Sequence, residues 1–275
     1  MTPLVLLALG LGAVDARVQA AVDKLAPSVE AIVVMEAATG RVLGRAGKID
    51  EPLPPGSTFK LVTTLAAMHT KPTALDGTIR CDGHARYGEH TLVCFERAGH
   101  GDLDLVHALA ESCNLYFGEV GVRVGTPAML DEARALGVGA PPGKLPPPSL
   151  FAGEVADGSG VRVTALEQAE LVRAIATGRT RDGKELVDRT SLARLHAGMR
   201  ASVVSGTAQL ASHGSVAVAG KTGTADFGAS TVGWFIGFAP ADAPTVIVVI
   251  VGRGVRGHDV AAHAPALLSA WFLGR

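Results

Sequence analysis

The sequence predicts an α+β fold: an antiparallel sheet flanked by terminal helices, with a mostly helical subdomain inserted. Three observations lead there. Residues 31–35 and 41–44 are β-rich runs on either side of a Thr39-Gly40 turn, the pattern of a hairpin. Residues 216–219, 231–238 and 245–251 are apolar runs separated by Gly, Pro and Asp. Between these two groups lies a long stretch of helical periodicity broken by glycine and proline. Short connections imply antiparallel pairing, so the two ends of the chain are expected to share one sheet.

Taken in order, residues 3–14 form an apolar run ending in Val14-Asp15-Ala16, the small-residue pattern of a cleaved secretory leader. Residues 1–16 are therefore assigned to a signal peptide, and an exported location, periplasmic or extracellular, is expected. At ~1.5 Å per residue the run falls short of the ~30 Å of a bilayer core, so no permanent membrane anchor is expected. Val18, Ala21, Val22 and Leu25 place a short amphipathic helix over residues 16–25, ended by Pro27. Further helices are expected over 103–109, 128–136, 165–176 and 191–199, a stiff proline-rich loop over 141–148, and a helical tail over 260–272. The sheet subdomain then comprises residues 17–56 and 200–275, and the helical subdomain residues 57–199.

Composition narrows the function. A chain of 275 residues, 48% hydrophobic and 19% charged, has enough apolar residues for a sizeable core. The net charge of −1, with no clustered Lys/Arg run, argues against nucleic acid as a partner.

The chemistry centres on Pro54-Pro55-Gly56-Ser57-Thr58-Phe59-Lys60. Ser57 and Lys60 are three residues apart, so at a helix start they share a face, a nucleophile beside a candidate base. Two further motifs follow in order, Ser112-Cys113-Asn114 and Lys221-Thr222-Gly223-Thr224. Asn114 is the only asparagine, and Lys60 and Lys221 are two of only seven lysines, which weighs against coincidence. Acyl transfer through serine needs a base for Oγ, a proton shuttle to the leaving amine, a cationic site for a substrate carboxylate and donors for the oxyanion. Lys60 suits the base if burial and Lys221 lower its affinity for a proton. Ser112 suits the shuttle, and Asn114 orients the Lys60 amine and the substrate amide. Lys221, Thr222 and Thr224 hold the carboxylate on a sheet edge, where Gly223 leaves room for a substrate backbone.

With these motifs the chain resembles the penicillin-binding protein transpeptidase domain, of the penicillin-interacting serine acyltransferase superfamily that includes the serine β-lactamases. Gly99-His100-Gly101, Ser112-Cys113-Asn114-Leu115-Tyr116-Phe117, Val163-Thr164-Ala165-Leu166-Glu167-Gln168-Ala169, Gly206-Thr207-Ala208 and Trp234-Phe235-Ile236-Gly237-Phe238-Ala239-Pro240 extend the similarity across most of residues 31–252. The resemblance implies a β-lactamase/transpeptidase-like fold and a serine enzyme acting on D-Ala-D-Ala peptidoglycan stem peptides, as transpeptidase or carboxypeptidase. It also implies covalent capture of β-lactams by Ser57, an oxyanion hole made by the backbone N–H groups of Ser57 and Thr224, and no catalytic cofactor. Ala165 departs from the proline expected after Thr164. A serine β-lactamase and a non-turnover β-lactam- or muropeptide-binding sensor are the alternatives. Against the first, no Asn-bearing deacylating glutamate loop is recognisable and the second motif is Ser-x-Asn rather than Ser-x-Val; against the second, no flanking signalling domain is recognisable.

Three cysteines, Cys81, Cys94 and Cys113, are an odd number for an exported chain. Together with His100 they make three thiolates and an imidazole, the ligand set of a closed structural zinc site. The other reading is a Cys81–Cys94 disulfide with Cys113 buried near the site. His84, His90 and His107 are read as surface or packing residues.

Overall fold

The computed structural model describes residues 14–139 and 151–273; the loop expected over 141–148 and nearly all of the leader lie outside them. Helix α1 (Ala16–Leu25) matches its expected bounds. It is capped by Asp15, whose carboxylate accepts from the N–H groups of Arg17 and Val18 at 3.0 and 3.2 Å. Asp15 N also donates to Leu43 O at 2.8 Å, so the fold already holds the chain one residue before the expected cleavage point. Strands β1 (Ala31–Glu36) and β2 (Val42–Gly47) form the expected hairpin.

A single turn of 3₁₀-helix, Gly56–Phe59, then runs into α2 (Lys60–Thr70). The insertion continues through short strands β3 (Ile79–Cys81), β4 (His84–Tyr87), β5 (His90–Val93) and β6 (Gly101–Leu103). After these come α3 (Leu105–Ala110), α4 (Asn114–Val124), α5 (Thr126–Ala135), α6 (Ala152–Val155), α7 (Ala165–Thr177) and α8 (Arg189–Val204). The chain returns to the sheet as β7 (Ala219–Phe227), β8 (Ser230–Ala239) and β9 (Val246–Arg253), and ends in α9 (Gly257–Ala261) and α10 (Ala264–Phe272).

The five-stranded sheet has the order β2-β1-β9-β8-β7, with every pair antiparallel, so the two ends of the chain do share one sheet. The inner strands β1, β9 and β8 are mostly apolar because both faces are covered. Val33, Val249 and Val251 belong to the larger core, shared with the helical insertion, whereas Ile32, Val248 and Ile250 belong to a second core under α1 and α10. Among the described residues no helix is long and apolar enough to cross a membrane.

Several expected elements differ in extent. The strand expected at 216–219 begins only at Ala219 and runs on through Lys221 to Phe227. Its partner β8 stops at Ala239, opposite the start of β7, and Pro240 has no N–H to extend the ladder. The helix expected from Leu103 starts at Leu105, because Leu103 pairs with Ile79 and Asp104 caps the helix through His107 N at 2.9 Å. The tail expected as one helix is two, and α8 is longer at both ends than its apolar stripe. The ribbons β3–β6 and β4–β5 have strands of only three or four residues, too short for a period of two to show.

Candidate active site

Ser57 lies in the 3₁₀ turn where the helical insertion meets the edge strand β7. Two glycines make that approach possible. Gly56 has a φ of +50°, and a Cβ there would collide with Thr224 O; a Cβ on Gly223 would collide with Pro55 O. Trp234 Nε1 in β8 donates to Pro54 O at 2.8 Å and holds the turn from behind. Gln168 of α7 donates to Thr58 Oγ1 at 2.6 Å, and that hydroxyl donates in turn to Pro55 O at 3.0 Å. These contacts press the Ser57 turn against Thr224 of the edge strand β7.

Lys60 and Lys221 are both fully buried. Lys60 Nζ donates to Ser112 O at 2.6 Å and to Asn114 Oδ1 at 2.7 Å, and pairs with Asp157 Oδ1 at 3.1 Å; Ser112 Oγ is 3.5 Å away. Lys221 Nζ donates to Ser112 Oγ at 2.7 Å and to Thr222 O at 3.0 Å. Burial, with the charge of Lys60 as a second cause, pushes the Lys221 amine well below the usual lysine range, and Asp157 opposes this in part. Ser112 between the two amines has a φ of +55°, the one positive φ outside glycine among the described residues. Asn114 is anchored by its amide, which donates to Val93 O at 3.1 Å. Thr222 Oγ1 meets Thr207 Oγ1 at 2.6 Å, and Thr224 Oγ1 accepts from Gly257 N at 3.0 Å.

All eight expected residues, Ser57, Lys60, Ser112, Asn114, Lys221, Thr222, Gly223 and Thr224, thus converge. Six of them, with the buried lysines behind, line a cleft of about 420 Å³. One expected contact is different. Ser57 Oγ donates to Asp157 Oδ1 at 2.8 Å, and no hydrogen bond joins Ser57 Oγ to Lys60 among the described residues. Lys60 is drawn instead toward the carbonyl and amide oxygens of the second motif.

Sequence reasoning missed Asp157, and with it Arg256 and His258, which also line the cleft. Asp157 is 100 positions from Ser57, and its Asp-Gly-Ser-Gly surroundings carry only a turn signal. Thr207 was visible within Gly206-Thr207-Ala208, but nothing in that segment shows a contact with Thr222.

The cysteines gather beside the second motif. Cys81 ends β3, Cys94 follows β5, His100 precedes β6 and Cys113 is the N-cap of α4. One ligand atom from each lies within 4.8 Å of the other three. His100 Nδ1 is 3.5 Å from both Cys81 Sγ and Cys94 Sγ, and Cys94 Sγ is 4.0 Å from Cys113 Sγ. All three thiols are free, so the Cys81–Cys94 disulfide is not formed. The spacing fits a tetrahedral centre, whose ligands about 2.3 Å from the metal stand roughly 3.8 Å apart. The contact between the two thiols lowers the Cys94 thiol to about 4, and the same contact together with burial pushes the Cys113 thiol up.

Paired buried lysines, a serine at a helix start and an edge strand are groups that serine acyl transfer would use. The model of the penicillin-binding protein transpeptidase domain matches residues 30–268, and the chain belongs to that family. It is 30% identical over 250 residues to the peptidoglycan D,D-transpeptidase PbpA of Mycobacterium tuberculosis (strain CDC 1551 / Oshkosh), covering 74% of this chain and 50% of the relative. The chain therefore spans about half the length of that curated relative. The D,D-transpeptidase domain of a peptidoglycan glycosyltransferase from Eggerthella lenta superposes with a TM-score of 0.80 at 25% identity, over 95% of this chain and 82% of that one. Penicillin-binding protein A from M. tuberculosis, solved as a ceftriaxone acyl-enzyme complex, shares the fold with a TM-score of 0.80 at 24% identity, over 94% and 79% of the two chains.

Proposed function

We propose that this protein is a peptidoglycan D,D-transpeptidase or D,D-carboxypeptidase that acylates Ser57 with D-Ala-D-Ala stem peptides and is captured covalently by β-lactams. The convergence of three motifs, far apart in sequence, on one cleft beside the open edge of β7 carries this reading. A stem peptide adds to that edge as an extended strand, its carboxylate held by Thr222 and Thr224 in front of Lys221. Ser57 attacks the D-Ala carbonyl, whose oxyanion is held by the peptide N–H groups of Ser57 and Thr224. Ser112, hydrogen-bonded to Lys221 and near Lys60, passes a proton to the leaving amine. Asn114 orients Lys60 and the substrate amide. The names of PbpA and of the acyl-enzyme complex support this reading. Export to the periplasm or cell exterior, where peptidoglycan lies, belongs to the same proposal.

Cys81, Cys94, His100 and Cys113 are proposed to hold a structural zinc ion. The ion supplies a crosslink between the short ribbons and the start of α4, and so fixes the segment bearing Ser112 and Asn114.

The test is intact mass spectrometry of the purified protein with a fluorescent penicillin. A covalent adduct of the penicillin's mass is expected on the wild type and none on Ser57→Ala. A folded wild type that never labels defeats the acyl-serine reading.

A further inference from the structure

We infer that Asp157 is a catalytic residue for the second half of the reaction, the carboxylate that activates a water to hydrolyse the acyl-Ser57 intermediate; this rests on the acyl-serine reading above. Lys60 keeps its place as the base of the acylation half. Before acylation Ser57 Oγ donates to Asp157 Oδ1 at 2.8 Å. Once the serine is esterified its Oγ has no hydrogen to give, and two acceptor oxygens are left facing each other. A water is the small donor that relieves this conflict. The ester carbon is one bond from Oγ, so a water held by Asp157 stands beside it, where a nucleophile has to be.

The fold holds Asp157 at this point and gives it a supply of water. Asp157 N and Gly158 N close a turn onto Glu154 O and Val155 O at 3.1 and 2.8 Å. Thr63 Oγ1 of α2 donates to the preceding carbonyl, Ala156 O, at 2.9 Å. Gly158, with a φ of +91°, lets the turn press on the Ser57 turn: a Cβ there would be 2.8 Å from Gly56 O. The Asp157 side chain is about one-third exposed. It lines both the substrate cleft and a second polar cavity of about 480 Å³, whose walls include Ser159, Gly160 and Arg162. The acyl chain fills the cleft, and water reaches Asp157 from the second cavity.

Water is the only co-reactant the step consumes. Its oxygen bonds to the ester carbon as one of its protons passes to Asp157, and the carbonyl electron pair moves onto the carbonyl oxygen. When that carbonyl re-forms, the C–Oγ bond breaks and Oγ takes the proton from Asp157 across 2.8 Å. The products are the free acid of the acyl group, the Ser57 hydroxyl and the original carboxylate. Resolution by water makes the enzyme a carboxypeptidase and gives a penicillin adduct a finite lifetime.

The experiment loads wild type, Asp157→Asn and Asp157→Ala with a fluorescent penicillin, each shown folded by its melting curve, and removes the excess. Intact mass after acid quenching then follows the adduct over time. The wild-type adduct should decay with release of penicilloic acid. Asn keeps the shape and an acceptor oxygen but takes no proton, so decay should slow on the order of 10²- to 10⁴-fold. Formate should hasten decay of the Asp157→Ala adduct as its concentration rises. A wild-type adduct that does not decay, decay of Asp157→Asn at the wild-type rate, a folded Asp157→Asn that takes no label, or an Asp157→Ala adduct indifferent to formate overturns the inference, while the wild-type adduct upholds the acyl-serine reading. A folded wild type that neither labels nor releases penicilloic acid takes down both.

Discussion

Ser112 shows at the scale of one residue how the site stores strain. Its left-handed φ places Oγ 2.7 Å from Lys221 Nζ, a position that a relaxed backbone would not give it. Ser112→Ala and Ser112→Gly both remove the hydroxyl, and only alanine keeps the Cβ that disfavours this backbone. The glycine variant should therefore be the more stable of the two by about 1 kcal/mol, read from denaturant unfolding. Both should acylate far more slowly than wild type. Equal stability of the two variants would show that φ to be unstrained.

Among elements, α4 matters most because both the second catalytic motif and the cysteine cluster sit at its start. Cys113 is its N-cap, with Sγ accepting from Tyr116 N at 3.4 Å, so the residue between Ser112 and Asn114 faces away from the cleft toward Cys94. If zinc is bound there, the purified protein should hold one ion per chain, and Cys113→Ser should lose it. Chelation should lower the melting temperature and the acylation rate together, since structural zinc in small domains contributes on the order of 10 kcal/mol. Metal-free protein with full activity would exclude the structural role. At α7, Ala165 in place of proline does not weaken the helix start. Thr164 and Glu167 form a reciprocal capping box at 2.9 and 3.1 Å, which satisfies the first-turn donors.

On the scale of the whole molecule, two buried lysine amines in one core are a cost to folding that the cleft requires. Lys221 is fully buried with its amine pushed well below the usual range, so between that depressed value and the ordinary 10.5 the unfolded chain binds the extra proton. Its contribution to stability therefore rises with pH across that window. Lys221→Met fills the same space without charge; its melting temperature near neutrality should exceed wild type by on the order of a few degrees. The gap should narrow as pH rises, and acylation should be lost. A variant less stable than wild type at every pH would show that the hydrogen bonds of Lys221 outweigh its desolvation.

The sequence by itself determined the α+β class, the shared sheet and the eight motif residues, because each rests on a local signal. Continuous apolar runs, a glycine beside a serine at a helix start, and lysines and an asparagine in a chain poor in both are visible without coordinates. Short ribbons such as β4–β5 left no periodic trace, and the second half of β7 carries too few apolar residues to mark it as strand. The tertiary structure alone decided how the groups are wired. A carboxylate 100 residues from Ser57 reaches its hydroxyl only because the turns at Gly56 and Gly158 pack together, and three cysteines and a histidine meet only when four separate segments pack on one another. Hydrogen bonds depend on distances of tenths of an ångström between segments remote in the chain, and residue spacing along a sequence does not encode them.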